Sequence, residues 1–258
     1  MGQRVYQQPR SLPGVMLLDL DDTILDDSSL IEDGWRVACE RYAGEYQIDP
    51  GELRRTIRES SEWYWGDPER HRLGRLDLDA ARTDVVRLAM ERLAIGHDEL
   101  AARIARAYAE HREAGMEPLP EAVETVRWLR SQGCRLALLT NGAAEPQRRK
   151  ISRFGLDHLF EAVFVEGEVG FGKPDDRIYR LALERLSANP ADTWMVGDNL
   201  EWDVAAPQRH GLLGVWIDRH ERGLPPHSTV VPDWTIRALA DLRTVGPGAA
   251  AREWSAGA

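Results

Sequence analysis

Four stretches of this chain end in side chains that could act together on an anion. Asp19-Leu20-Asp21-Asp22-Thr23 follows the apolar run GVMLL, and Thr140-Asn141-Gly142 follows CRLALL. Lys173 sits in Gly170-Phe171-Gly172-Lys173-Pro174-Asp175, and Gly197-Asp198-Asn199, with Asp203 beyond it, follows TWMV. In an extended chain, Asp19 and Asp21 fall on the same side. Two carboxylates about 4 Å apart repel by about 4 kcal/mol at an effective dielectric of about 20. Such a pair needs a proton or a metal ion to resolve it. With Asp198 added, the donor set is all oxygen and favours Mg2+. One such aspartate alone reads as a helix cap or a solvated turn. Several strand ends of polar character, two of them acidic, make that the weaker reading.

The lysines are scarce. Of the 33 cationic side chains only two are lysine, Lys150 and Lys173, and the other 31 are arginine. Lys150 follows Arg148 and Arg149 on a polar helix face and reads as a compositional remnant. Lys173, between glycines that allow close backbone approach and a proline at a helix start, could offset the carboxylates and grip a phosphoryl group. Gly167–Lys173 also fits the GxxxxGK of a phosphate-binding loop. That motif next needs a Ser or Thr for Mg2+, and Pro174 has neither hydroxyl nor N–H. No GxGxxG fingerprint of a dinucleotide site occurs.

These groups must be positioned by the elements they end. GVMLLD is a short apolar run suited to a buried parallel strand. From 26 to 117 the segments GWRVACERYAGEY, GELRRTIRESSEWYW, LDAARTDVVRLAMERLAIG and HDELAARIARAYAEHREAG space apolar residues three and four apart, which predicts amphipathic helices. After Pro118-Leu119-Pro120 the rhythm changes. EAVETVRWLRSQG, AEPQRRKISRFG, DDRIYRLALERL and VAAPQRHG read as helices, the last short and despite Pro207. CRLALLT, AVFVEG, TWMVGD and LGVWID read as strands between them. This alternation predicts an α/β fold, a three-layer parallel sheet with helices on both faces. Its ligand groups would meet outside the carboxyl ends of the strands. The expected organisation is core over 1–25, an inserted all-α domain over 26–117, core again over 118–245, and a flexible tail over 246–258.

Composition narrows the class. The 258 residues are 43% hydrophobic and 29% charged, enough for a real core, and carry a net charge of −10. Such a surface disfavours nonspecific nucleic-acid or anionic-membrane binding. No apolar run nears the length of a membrane span. The first residues lack the apolar stretch of a secretory signal, and Tyr6 breaks a myristoylation signal. Cys39 and Cys134 stand far apart in no CxxC pair and read as reduced core residues of a cytoplasmic protein.

The same residues resemble a known family. VMLLDLDDTI resembles motif I of the haloacid dehalogenase superfamily, DxDx(T/V) after an apolar strand, and LALLTNG resembles its motif II. Lys173 in GKP is similar to the motif III lysine, and VGDNLEWD to the GDxxxxD form of motif IV. The four come in family order across 15–218, and the helical stretch after motif I resembles the C1 cap. The resemblance implies a Rossmann-like core and gives each residue a role. Asp19 would be the nucleophile and Asp21 the acid/base. Mg2+ would be held by Asp19, the Asp21 carbonyl oxygen and Asp198. Thr140, the Asn141 N–H and Lys173 would bind the phosphoryl oxygens, and Asp203 would orient Lys173 or a metal-bound water.

Dehalogenases of the family lack an acid/base Asp at position 21, whereas phosphatases and phosphomutases carry it. Asn199 stands where Ser or Thr is common. The expectation is therefore a Mg2+-dependent phosphatase acting through an aspartyl phosphate on a small soluble phosphomonoester, a sugar phosphate or nucleoside monophosphate. A phosphomutase and a non-catalytic phospholigand-binding protein are the alternatives. In the helical insertion, Trp35, Trp63, Tyr64, Trp65, His71, Arg72, Arg75 and Arg82 could face the substrate, although core packing explains the aromatics more simply.

Overall fold

The structure is a computed structural model that describes residues 9–246. It divides into two compact units, one built from the residues up to Asp26 and from Pro118 onward, the other Asp27–Glu117. The expected tail beyond 246 lies outside the described residues.

In the first unit six parallel strands form one sheet. They are β1 (Val15–Leu18), β2 (Arg135–Thr140), β3 (Ala162–Val165), β4 (Thr193–Gly197), β5 (Leu213–Ile217) and β6 (Trp234–Ile236). Their spatial order is β3-β2-β1-β4-β5-β6. The chain builds outward from β1 through β2 to β3, then crosses back to lay β4 on the other side of β1. The order reverses at β1, where parallel α/β sheets open a crevice at their carboxyl ends. Leu18 pairs with both Leu138 and Val196, so the three chains leave the sheet at nearly one level. All four residues of β1 are buried, as an apolar strand covered on both faces must be. The core against it includes Leu17, Ala137, Leu139, Ile178, Tyr179 and Met195.

Two expectations are corrected here, and one strand is added. AVFVEG does not stay extended to Gly167; β3 ends at Val165, and Glu166–Val169 makes one helical turn, α8 in chain order. The helix before β5 begins earlier than VAAPQRHG, as a π-helical turn over Leu200–Ala205 that runs into Ala206–Gln208. Pro207 falls where the π-helical turn passes into Ala206–Gln208. Strand β6 had no reading in the sequence; it is three residues long and follows Pro232.

The second unit is helical: α1 (Ile31–Ala43), α2 (Pro50–Trp65), α3 (Pro68–Gly74), α4 (Leu78–Arg92) and α5 (Asp98–Gly115). Two of these helices start with Asp-Pro. Asp49 accepts a hydrogen bond from the Glu52 N–H at 2.6 Å, and Asp67 accepts from Glu69 and Arg70 at 3.1 and 2.8 Å. An acidic N-cap followed by proline is a strong start signal. It makes Gly66-Asp67-Pro68 the opening of α3. Leu100, Ile104 and Tyr108 recur at one face of α5 and meet Trp35, Leu53, Ile57, Val86 and Ala89 in a core of this unit's own. Among the described residues, no helix is long and apolar enough to cross a membrane. Cys39 and Cys134 are free and buried, and burial pushes both thiols up to about 12.

Candidate active site

Asp19 is the first residue past β1. Its N–H still donates to the Val196 carbonyl at 3.0 Å, so the sheet ladder fixes where its side chain begins. Lys173 reaches it from the loop before helix α9 (Asp176–Arg185). Lys173 Nζ donates to Asp19 Oδ1 and to Asp203 Oδ1, each at 2.6 Å. Residues 19, 173 and 203 are 8%, 2% and 0% exposed, so this is a buried charge cluster rather than a surface ion pair.

Backbone contacts hold each partner in place. The Asn141 side chain closes a two-bond clamp on the Lys173 main chain: Nδ2 donates to the Lys173 carbonyl at 2.6 Å, and Oδ1 accepts from its N–H at 2.8 Å. Gly172 permits that clamp, since a Cβ there would lie 2.5 Å from Asn141 Oδ1. Asp203 Oδ2 accepts from the Asn199 N–H at 3.0 Å, while the Asn199 side chain caps the following turn through Glu201 and Trp202. Gly197 has to be glycine for the same reason as Gly172: a Cβ would stand 2.3 Å from Asp203 Cγ. Helix α9 starts at Asp176 with Asp175 as its cap, two residues later than a start at Pro174.

Charge in the cluster does not balance. One carboxylate oxygen each from Asp19, Asp198 and Asp203 lie within 4.8 Å of one another, with the single ammonium of Lys173 among them. Burial pushes the Asp19 carboxyl up to about 7; Lys173 pulls it back, and Asp203 and Asp21 add to the rise. Asp198 is exposed as a residue. Desolvation, ahead of the charges of Asp19, Asp203 and Asp22, pushes its carboxyl up to about 8. Burial works against the Lys173 ammonium, but the two aspartates facing it outweigh burial and hold its pKa above the ordinary lysine value. Three acids around one cation, all with hard oxygen donors, fit a divalent ion such as Mg2+.

The Asp21 side chain lies outside that acidic group, although its charge still acts on Asp19. Lys150 Nζ donates to Asp21 Oδ1 at 2.7 Å, and Gln147 Nε2 donates to Asp21 Oδ2 at 2.9 Å. Both donors lie on α7 (Ala144–Arg153), and Lys150 is therefore no compositional remnant. Gln147 also donates to the hydroxyl of Thr140, which ends β2. Thr140 is buried at 3% exposure.

Sequence reasoning missed three groups here: Gln147, Lys150 and Glu166. The buried Glu166 accepts from the Gly142 N–H at 3.0 Å and thereby pins the loop after β2. The only advance signal was the rarity of lysine.

The side chains proposed for the helical unit divide. Trp35 stacks on Tyr108 with centroids 3.7 Å apart, inside the core. Trp65 meets Tyr64 and His71 edge-on at 5.0 and 5.5 Å. Trp63 is 52% exposed beneath the Arg70 guanidinium. Arg72 pairs with Glu69 at 2.7 Å, and Arg82 lies 5.4 Å from the Tyr108 ring.

Comparison with known proteins gives the family. A family model described as haloacid dehalogenase-like hydrolase matches residues 14–211. A phosphoserine phosphatase of Thermus thermophilus is 35% identical over 252 residues, covering 90% of this chain and 97% of its own. A glyceraldehyde 3-phosphate phosphatase of Methanopyrus kandleri is 31% identical over 238 residues, covering 89% and 95%. In fold, the chain resembles the HAD-hydrolase YfnB of Bacillus subtilis, solved bound to magnesium, with a TM-score of 0.69 at 22% identity over 91% and 98% of the two chains. With strand-end acids, a buried lysine and a matching family model over most of its length, the chain belongs to the haloacid dehalogenase-like hydrolases.

Proposed function

We propose that the protein is a Mg2+-dependent phosphatase that hydrolyses a small soluble phosphomonoester through an aspartyl phosphate on Asp19. The observation that carries this reading is the separation of the two motif I acids. Asp19 is held by Lys173 within an acidic group suited to a metal ion, while Asp21 is held apart on uncharged and cationic donors of its own. A nucleophile and a proton carrier need different surroundings, and two carboxylates in two environments supply them.

Asp19, the Asp21 carbonyl oxygen and Asp198 would hold the ion, with Asp203 close by. When bound, Mg2+ supplies the positive charge that lets Asp19 stay ionised beside an incoming phosphate dianion. Lys173 occupies Asp19 Oδ1, which leaves Oδ2 to attack phosphorus. Thr140 accepts its hydrogen bond from Gln147, so its own proton can turn to a phosphoryl oxygen. The Asn141 side chain is committed to Lys173, and the Asn141 N–H on that rigid frame would be a second donor. Asp21 would give a proton to the departing alkoxide and then take one from the attacking water.

The phosphatase names of the relatives support the reaction class, and their two different substrates leave the ester open. The inserted helical unit would serve as the cap that selects among esters. A cytoplasmic location and a small phosphorylated metabolite as partner complete the reading, with no nucleic acid or membrane involved. The test is phosphate release by the purified protein from a panel of phosphorylated metabolites and p-nitrophenyl phosphate, with Mg2+ and with chelator. Mg2+-dependent release that Asp19→Asn abolishes supports the reading. Isomerised sugar phosphate with little free phosphate would replace it with a mutase, and binding without turnover would replace it with a binding protein.

A further inference from the structure

Both lysines of this arginine-dominated chain end on motif I acids: Lys173 on Asp19, Lys150 on Asp21. The second contact has no counterpart among the roles assigned above. Gln147 and Lys150 lie three residues apart on α7, so their side chains leave the same face of the helix. They take the two oxygens of one carboxylate separately, Lys150 on Oδ1 and Gln147 on Oδ2. A carboxylate held at one oxygen still swings about its χ angles; one held at both has a fixed plane.

The chemistry of the neighbours settles which end of the Gln147 amide faces Asp21. Asp21 Oδ2 at 2.9 Å and the Asn141 carbonyl at 3.0 Å are acceptors only, so the atom between them must be the NH2 group. The same nitrogen is also within hydrogen-bond distance of the Thr140 hydroxyl, so its two N–H bonds are shared among three acceptors. Gln147 is 4% exposed, so no water competes freely for those bonds. One buried amide thus ties the strand end that carries Thr140 to the carboxylate of Asp21, and Lys150 fixes the other oxygen from the partly exposed side, its side chain 19% accessible.

We propose that Lys150 and Gln147 are positioning residues that aim the Asp21 carboxyl at the leaving oxygen during phosphoryl transfer. The inference rests on the phosphatase reading and deepens it. In the step concerned, Asp19 Oδ2 forms a bond to phosphorus and the ester P–O bond breaks. Its electron pair goes to the departing oxygen, which takes the proton carried by Asp21. In the second step a water oxygen bonds to phosphorus, its proton returns to Asp21, and the Asp19–phosphorus bond breaks. Each carboxylate oxygen has two acceptor positions, so bonds from Lys150 and Gln147 leave room for the travelling proton.

Aim matters in proportion to how badly the leaving group needs a proton. An alkoxide leaves only if protonated, whereas p-nitrophenolate leaves unaided. General acid catalysis is worth about 10²- to 10⁴-fold, and a misplaced acid forfeits part of it. The experiment compares kcat/KM, which reports phosphoryl transfer, for p-nitrophenyl phosphate and an alkyl phosphomonoester such as β-glycerophosphate. It uses the full-length Mg2+-loaded wild type, Lys150→Met and Lys150→Arg. Lys150→Met is expected to lose about tenfold more on the alkyl ester than on the aryl ester, and Lys150→Arg to recover part of that excess loss. Equal losses on the two esters, or no loss on either, would overturn the inference while leaving the phosphatase reading intact. A wild type that releases no phosphate from any ester with Mg2+ would overturn both. Should Lys150→Met melt early, Gln147→Met gives the same comparison, and the same alkyl-selective loss is expected of it.

Discussion

Lys173 is the cation that faces the acids of the candidate site. It is 2% exposed, and its ammonium is the cation bonded to both Asp19 and Asp203. Removing one member of a buried ion pair strands its partners, at a cost of about 3–5 kcal/mol. Lys173→Met is therefore expected to lose phosphate release and to lower the thermal midpoint, and a variant as stable and active as wild type would contradict the site.

A pH dependence follows from the acids themselves. Asp19 and Asp198 rise from 3.8 in their unfolded reference to about 7 and about 8 when folded without metal. A raised folded pKa favours the protonated form, so the stability it contributes is full below about pH 4 and is lost as pH climbs through 7 and 8. Lys173, raised as well, keeps its contribution throughout that window. Chelated protein should therefore lose thermal stability from about pH 5 to pH 8, and added Mg2+ should raise the midpoint more at about pH 8 than at about pH 5. An equal Mg2+ shift at both, read by calorimetry, would contradict the acidic group as the ion's seat.

Elements bring the distant residues together, and glycine spacing decides how closely. Gly172→Ala would put a Cβ 2.5 Å from Asn141 Oδ1 and 2.7 Å from Glu166 Cδ, in a place where both neighbours are buried or clamped. The Asn141–Lys173 clamp must open to admit it. The variant is expected to lose about 1–3 kcal/mol of stability and most of its turnover, as overpacking does. Wild-type kcat by phosphate release would show that the clamp is dispensable.

Much at this scale was legible in the sequence, because β1, β2 and β4 are apolar runs that end in polar residues, and each ending pointed to a candidate site residue. Lys173 was legible through its glycines and its rarity. Lys150 and Gln147 were not. A polar helix such as α7 declares its period but not which polar face turns inward, and that is set by packing onto the sheet. Glu166 was hidden because AVFVEG gives no break where β3 turns into a helical turn. β6 is too short to show a period.

The whole molecule is a sheet unit with a helical unit threaded into it at Asp27–Glu117. Each has its own core, so a cavity in one should be felt mainly there. Ile104 is fully buried among Trp35, Ile57 and Val86 in the helical unit. Ile104→Ala is expected to destabilise that unit by about 2–5 kcal/mol. Hydrogen exchange should show faster exchange across 31–115, with the strands of the sheet retaining their protection. Equal loss in the strands would mean that the two units unfold as one.

The central claim is that Asp19 takes the phosphoryl group. Its most direct test is acid-quenched peptide mass spectrometry of Asp21→Asn mixed with p-nitrophenyl phosphate and Mg2+, since that variant can form the intermediate with a good leaving group but breaks it down slowly. The account expects one phosphoryl group on the peptide that contains Asp19, absent when Asp19→Asn is added to the same chain. A phosphoryl group on any other residue, or an Asp19→Asn single variant that releases phosphate at the wild-type rate, would contradict it.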